Sequence, residues 1–119
     1  MTNIYVFDPS ALIALFRGNE NAFDLMREAD AGQLQLIFPA VAVAEANSFI
    51  QASESAWEPV LMGRIECTPL TAHVAITVGP WPGDLAVRHV VYESRAVRCD
   101  IATLEPDRYR PWSVPLLVL

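Results

Sequence analysis

The chain has 119 residues, and its apolar fraction of 53% exceeds the globular average, so we expect one domain over residues 1–119 with an ample core. The formal net charge of −6 argues against broad electrostatic capture of nucleic acid. All eight basic residues are arginines, which excludes any site that requires a lysine.

The sequence favours a cytoplasmic protein that does not enter a membrane. The first basic residue is Arg17, so the segment before it lacks the charged start of a signal peptide. The longest uncharged stretch, 67–83, is interrupted by prolines and glycines and cannot form a membrane span. Cys67 and Cys99 form no CxxC pattern, and we expect two reduced, buried thiols.

Short apolar segments alternate with helix-forming segments along the chain. The apolar pattern predicts strands at 4–7, 34–38, 65–67 and 101–103, with a last apolar segment at 116–119. Helices are predicted at 10–16, from Asn19 or Asn21 to Gly32, and at 39–53, 57–62, 71–78 and 84–97. This alternation predicts an α/β fold in which helices cover both faces of a mostly parallel sheet.

Four carboxylates occur where apolar segments give way to turns or helices: Asp8, Glu45, Asp84 and Glu105. Asp8 and Glu105 follow predicted strands, and Asp84 opens the helix that precedes a strand. Glu45 lies roughly 10 Å along its helix at 1.5 Å per residue, so it is the weakest geometric member. Because ligands of parallel sheets bind beyond the carboxyl ends of the strands, we expect these four acids to converge there.

Converging carboxylates are costly to ionise unless cations balance them. Ligands that are all oxygen favour Mg²⁺ or Mn²⁺ over Zn²⁺. Such ions assist phosphodiester hydrolysis without a histidine or lysine base, which suits a chain that has no lysine. The four acids therefore predict a metal-dependent nuclease, which we interpret as a ribonuclease.

Most of these acids also have a structural interpretation. Asp8 precedes Pro9 and is a helix N-cap by default. Asp84 is placed to cap its helix and to pair with Arg88 one turn later. Glu105 is compatible with an ordinary turn, whereas Glu45 lies in mid-helix with no basic residue within a turn.

Four segments, in order, resemble the motifs of PIN-domain proteins. Residues 7–12 are similar to the first motif, an acid and a hydroxyl after the first strand. Residues 38–45 resemble the second motif, in which a helix supplies a Glu. Residues 83–95 resemble the helix that supplies the third acid, and 102–109 the closing motif, a Thr and then an acid. Each motif alone is weak, but the ordered set covers nearly the whole chain.

The resemblance implies a three-layer α/β/α fold and a Mg²⁺- or Mn²⁺-dependent endoribonuclease that acts on RNA. Small members of this kind are typically VapC-type toxins of bacterial type II toxin–antitoxin pairs. They are usually homodimers and are silenced by a small antitoxin protein of the VapB type.

Carried over residue by residue, the resemblance makes Asp8, Glu45 and Asp84 metal-binding acids. Ser10 matches a hydroxyl that supports the first acid, and Thr103 matches a similar support for the last acid. Glu105 replaces the usual Asp of the last motif and is one methylene longer. It is therefore interpreted as a catalytic acid that acts directly or through a water.

Two groups of arginines leave alternatives open. The first group projects from about the same side of the helix at 84–97 and consists of Arg88, Arg95 and Arg98. These arginines are predicted to hold RNA phosphates or an acidic antitoxin segment, or else to form a solvated face. The second group is suited either to stacking on a nucleotide or to packing against the last strand, and it consists of Arg108, Tyr109, Arg110 and Trp112.

A second function class competes with the nuclease. In it, the chain is a PIN-like module without turnover that binds a partner or serves as a scaffold. The Glu at 105 and the nearness of Arg88 to Asp84 motivate it. Phosphotransfer receivers and haloacid-dehalogenase-type phosphatases also place an Asp after their first strand, but both rely on a lysine.

Overall fold

A computed structural model describes residues 3–119 of the chain. In this range five strands form one sheet with every neighbouring pair parallel. The strands are β1 (Asn3–Phe7), β2 (Leu34–Pro39), β3 (Ile65–Thr68), β4 (Asp100–Thr103) and β5 (Leu116–Val118). The last apolar segment, for which the sequence predicted no element type, is thus an edge strand.

Six α-helices and one short 3-10 helix connect these strands within residues 3–119. They are α1 (Pro9–Phe16), α2 (Glu20–Asp30), α3 (Ala40–Ile50), α4 (Glu54–Leu61), α5 (Ala72–Val78), α6 (Leu85–Val97) and the 3-10 helix Pro106–Tyr109. Side chains of Asp8, Asn19, Ser53 and Thr71 accept hydrogen bonds at helix N-termini, as residues of these types commonly do.

Two helix boundaries differ from the prediction. The helix α3 ends at Ile50 because Gln51 adopts the left-handed conformation, with φ of 55°. The next helix begins at Glu54 because Ser53 caps it, three residues before the predicted start. The predicted long helix and short helix are therefore separated by a tight corner over residues 51–53.

The strand order β3-β2-β1-β4-β5 puts β1 in the centre of the sheet. Val6 of β1 lies opposite Ile37 of β2 and Ile101 of β4. The chain runs outward from β1 to β3 and then crosses back to β4. Right-handed crossovers in these two directions put their helices on opposite faces, which gives three layers, α/β/α. The strand order reverses between β1 and β4, and this is where open α/β sheets bind ligands.

The core lies on both faces of β1 and β2, where Phe7 and Phe38 stack with ring centroids 5.2 Å apart. Cys99 is buried as predicted, whereas Cys67 is exposed because β3 is an edge strand. Neither is in a disulfide. Within residues 3–119, no helix has the length and apolar character needed to cross a membrane.

Candidate acidic site at the sheet edge

Asp8 lies fully buried at the carboxyl end of β1, where four neutral donors hold its carboxylate. Ser10 Oγ and the Ala11 N–H donate to Oδ1 at 2.7 and 2.9 Å. Thr103 Oγ1 and the Tyr109 hydroxyl donate to Oδ2 at 2.6 and 2.9 Å. Ser10, predicted to support the first acid, thus contacts it, whereas Thr103, predicted to support the last acid, donates to the first one instead.

These hydrogen bonds leave the carboxylate of Asp8 without a lone pair for a further ligand. A carboxylate offers about four lone-pair positions, and each oxygen of Asp8 already accepts two hydrogen bonds. Burial, and then the charge of Asp8, raise the pKa of Tyr109 well above its usual value, so the phenol keeps the proton that it donates. The N-cap interpretation of Asp8 is correct, because its side chain caps α1.

The other three acids meet at one guanidinium, that of Arg108. Its two terminal nitrogens donate to the two oxygens of Glu45 at 2.9 and 3.2 Å. One of them also donates to Asp84 Oδ2 at 3.0 Å, and the other lies 3.7 Å from Glu105 Oε1. The structure therefore brings Glu45, Asp84 and Glu105 together around Arg108. Asp8 is connected to this cluster by Tyr109, the residue after Arg108, whose hydroxyl donates to Asp8.

Arg108 is the partner that Glu45 lacked in the sequence. Its hydrogen bond to Glu45 raises the pKa of the guanidinium further above its usual value, so it carries a full positive charge. In the sequence, Arg108 was assigned to a possible nucleotide-stacking cluster rather than to the acids. Its spacing of three residues from Glu105 was a usable but weak signal.

A bound divalent cation does not fit this arrangement. The donors are all carboxylate oxygens, which is the chemistry of Mg²⁺ and Mn²⁺ sites. However, Arg108 already lies among three of the acids, and Asp8 has no free lone pair for a metal. Among residues 3–119, no three His, Cys, Asp or Glu side chains are arranged to hold a metal ion.

A cavity of about 960 Å³ opens at this edge of the sheet. Glu45, Asp84 and Arg108 form part of its wall, and Arg17 adds a second positive charge. The ring of Phe49, 70% exposed, also lines it. The site thus combines acids, arginines and an exposed aromatic ring.

Arg88 and Arg95 lie outside this cluster. Arg88 donates to the carbonyl oxygens of Gly83 at 2.7 Å and Gly79 at 3.2 Å, so it stabilises the turn before α6. The predicted pair between Arg88 and Asp84 is absent from the described chain, and Asp84 accepts no capping hydrogen bond there. The assignment of Arg88 to RNA stays a prediction.

Arg95 contacts aromatic rings instead of acids. Its guanidinium lies 5.8 Å from the ring centroid of Trp81 and 5.3 Å from that of Trp112, within the range of cation–π attraction. The contact with Trp112 packs the segment after the 3-10 helix against α6. Of the cluster predicted to stack on a nucleotide or pack as a tail, Tyr109 is buried and Trp112 is packed. The RNA role of Arg95 likewise stays a prediction.

Comparisons with known proteins identify the fold. No protein-family model matches the chain, and no curated protein sequence matches it. The chain is similar to one in the crystal structure of VapBC2 from Rickettsia felis bound to a DNA fragment from their promoter, with a TM-score of 0.68 and 12% identity. The likeness covers 96% of this chain and 97% of that one. The chain therefore has the three-layer PIN-like fold that its sequence predicted.

Proposed function

We propose that the chain is an endoribonuclease that hydrolyses RNA phosphodiester bonds and serves as the toxin of a bacterial type II toxin–antitoxin pair. One observation carries the proposal. Glu45, Asp84 and Glu105 come from three separate elements and converge on a single cation where the strand order reverses. Like charges repel at such distances, so a fold that gathers them favours a cationic ligand.

The architecture around the acids supports a nucleic-acid substrate. The cavity has the size of a typical ligand site and carries Arg17 and the exposed ring of Phe49 beside the acids. Arginine can neutralise an RNA phosphate, and an aromatic ring can stack on an unpaired base. In this proposal Asp8, Glu45, Asp84 and Glu105 are the catalytic acids, and Ser10 and Thr103 hold Asp8 in place.

The proposed cofactor, Mg²⁺ or Mn²⁺, requires a rearrangement of the site. Arg108 must leave the carboxylates of Glu45 and Asp84 before a divalent cation can bind them. The metal-binding role of Asp8, implied by the resemblance, further requires one of its four donors to move away.

The proposed partner is a small antitoxin protein of the VapB type. Its support is the likeness in fold to a chain of VapBC2, a complex bound to promoter DNA. We also propose that the chain forms a homodimer, as the resemblance implied.

RNA cleavage by an Asp84→Asn variant tests the enzyme. Asp84 suits the test because its side chain is 73% exposed and caps no helix within the described residues, so the fold is expected to persist. We expect the parent to cut RNA when Mn²⁺ or Mg²⁺ is supplied and not with a chelator. The variant should lose activity at least about a hundredfold, the low end for one side chain that takes part in general acid–base catalysis.

Asp107→Asn is the matched control, because Asp107 is an exposed carboxylate that pairs with Arg110 outside the cluster. We expect it to cut RNA like the parent. A parent that cuts no RNA, or an Asp84→Asn variant as active as the parent, would contradict the proposal.

The second candidate is a PIN-like module without turnover that binds a partner protein. The contacts of Arg108 with three acids favour it, because its positive charge balances one of the three negative charges that a metal would otherwise balance. This candidate predicts a stable complex with an antitoxin-type protein, no Mn²⁺ binding and intact RNA.

A further inference from the structure

We propose that Arg108 is an intramolecular inhibitor of the acidic site, a cation within the chain that competes with a divalent metal for Glu45 and Asp84. The inference rests on the proposed function, because it assumes that these carboxylates also bind a metal. It adds a regulation that the predicted motifs do not contain.

The geometry makes the two cations mutually exclusive. Arg108 engages both oxygens of Glu45 at 2.9 and 3.2 Å and one oxygen of Asp84 at 3.0 Å. A Mg²⁺ ion bonded to the same carboxylates would lie about 2.1 Å from their oxygens. The guanidinium occupies the space between these two side chains, so a metal cannot bridge them until it leaves.

The charge balance favours a contact between Arg108 and the acids that a divalent cation can replace over a permanent one. Glu45, Asp84 and Glu105 carry a formal charge of −3, and Arg108 supplies +1, which leaves −2 on the cluster. Asp8 adds a further negative charge behind them, and only neutral groups donate to it. A divalent cation would neutralise this cluster more completely than one guanidinium does.

The side chain can be released without unfolding of its segment. The backbone around Arg108 is fixed, because Tyr109 is buried next to it and Trp112 packs against Trp81 and Arg95. The Arg108 side chain itself remains 21% exposed and faces the cavity of about 960 Å³. Rotation about its own torsions is therefore sufficient to open the acids.

Calorimetric titration with MnCl₂ tests the competition directly and needs no RNA. The variant Arg108→Met removes the charge and keeps a long apolar stem. We expect it to bind Mn²⁺ at least tenfold more tightly than the parent, and a second change, Glu45→Gln, should abolish that gain. Arg110→Met is the matched control, because Arg110 is exposed and pairs only with Asp107 in the described chain. It should bind Mn²⁺ like the parent.

A second variant keeps the test informative if Arg108→Met folds poorly. Arg108→Lys keeps one positive charge but cannot donate to two carboxylates as a planar fork does. We expect its Mn²⁺ affinity to lie between those of the parent and Arg108→Met. Added Mn²⁺ should also raise the melting temperature of both variants more than that of the parent.

Two results would overturn the inference. One is no gain in Mn²⁺ affinity over the parent in either Arg108 variant, and the other is a gain in Arg108→Met that persists when Glu45→Gln is added. Failure of the proposed function gives a different result. In that case Arg108→Met binds Mn²⁺ through Glu45 but leaves RNA intact, so the competition stands and the nuclease does not.

Discussion

Asp8 and Glu45 lie at the same edge of the sheet, yet the fold stabilises their carboxylates in opposite ways. Asp8 is fully buried and accepts four hydrogen bonds from neutral groups. Glu45 is 27% exposed on its side chain and is held by the charged group of Arg108. The first environment is dry and uncharged, and the second faces a solvent-filled cavity.

The difference separates a fixed part of the site from an exchangeable part. The donors to Asp8 are buried, so removing their acceptor leaves polar groups that water cannot reach. An ion pair at a solvent-facing cavity is screened by salt and can be replaced by a competing ion. We therefore expect Asp8 to control stability, and Glu45 with Asp84 to control what binds.

The largest expected effect is that of Asp8→Ala. It removes the acceptor of four donors at once, and we expect the free energy of unfolding to fall by at least about 3 kcal/mol in a urea titration. Asp107→Ala, at a carboxylate 82% exposed, should change it by less than about 0.5 kcal/mol. Equal losses of unfolding free energy in the two variants would show that Asp8 contributes no more to stability than an exposed acid does.

Thr103→Val removes one of the four donors to Asp8 and keeps nearly the same side-chain volume. The hydroxyl of Thr103 donates to Asp8 at 2.6 Å and accepts the N–H of Glu105 at 2.8 Å, so we expect a loss of about 2 kcal/mol in unfolding free energy. Thr77→Val is the control, because within residues 3–119 that hydroxyl donates only to a carbonyl of its own helix. It should cost less than about 0.5 kcal/mol. A loss as small for Thr103→Val would mean that the hydroxyl does little for Asp8.

Alkaline pH should lower the free energy of unfolding by deprotonating Tyr109, a donor to Asp8, and Cys99, and it should leave the Arg108 ion pairs intact. Burial and Asp8 raise the pKa of Tyr109, and burial raises the pKa of Cys99 from 9.0 to about 11. The folded state therefore keeps protons that the unfolded state releases. The resulting stabilisation is complete below the unfolded pKa of each group and is lost as pH rises towards the folded value.

Unfolding titrations between pH 8 and 11 measure this loss, which approaches about 1.4 kcal/mol per pH unit for each proton retained. Cys99→Ala should reduce the slope from pH 9, and Tyr109→Phe should reduce it above pH 10. A slope that neither variant changes would assign the alkaline loss to other groups.

The smallest expected effect compares the two acids that share Arg108. Glu45 accepts two hydrogen bonds and is 27% exposed, whereas Asp84 accepts one and is 73% exposed. We expect Glu45→Gln to cost about 1 kcal/mol of unfolding free energy and Asp84→Asn less than about 0.5 kcal/mol. The difference should shrink in 1 M NaCl, where the Debye length is about 3 Å. The opposite order would show that Asp84 is the main partner of Arg108.

Local sequence patterns were sufficient for much of the fold and for the position of the acids. Apolar alternation located four strands, and the caps at Asp8 and Asn19 located two helix starts. These signals act within a few residues, so they can be read before the chain folds. The apolar pattern also marked the segment 116–119, but so short an apolar run fits a strand or part of a helix, so it did not identify the edge strand β5.

The sequence by itself determined an α/β chain with Asp8 and Glu105 after strands, Asp84 at a helix start and Glu45 within a helix. It could do so because hydrophobic period and turn chemistry are local properties. Only the tertiary structure decided which groups those acids contact. Arg108 reaches Glu45 across 63 residues, and Tyr109 reaches Asp8 across 101. Such contacts depend on strand order and on the path of the chain after β4. Neither spacing nor composition encodes them, because they form only when distant segments pack together.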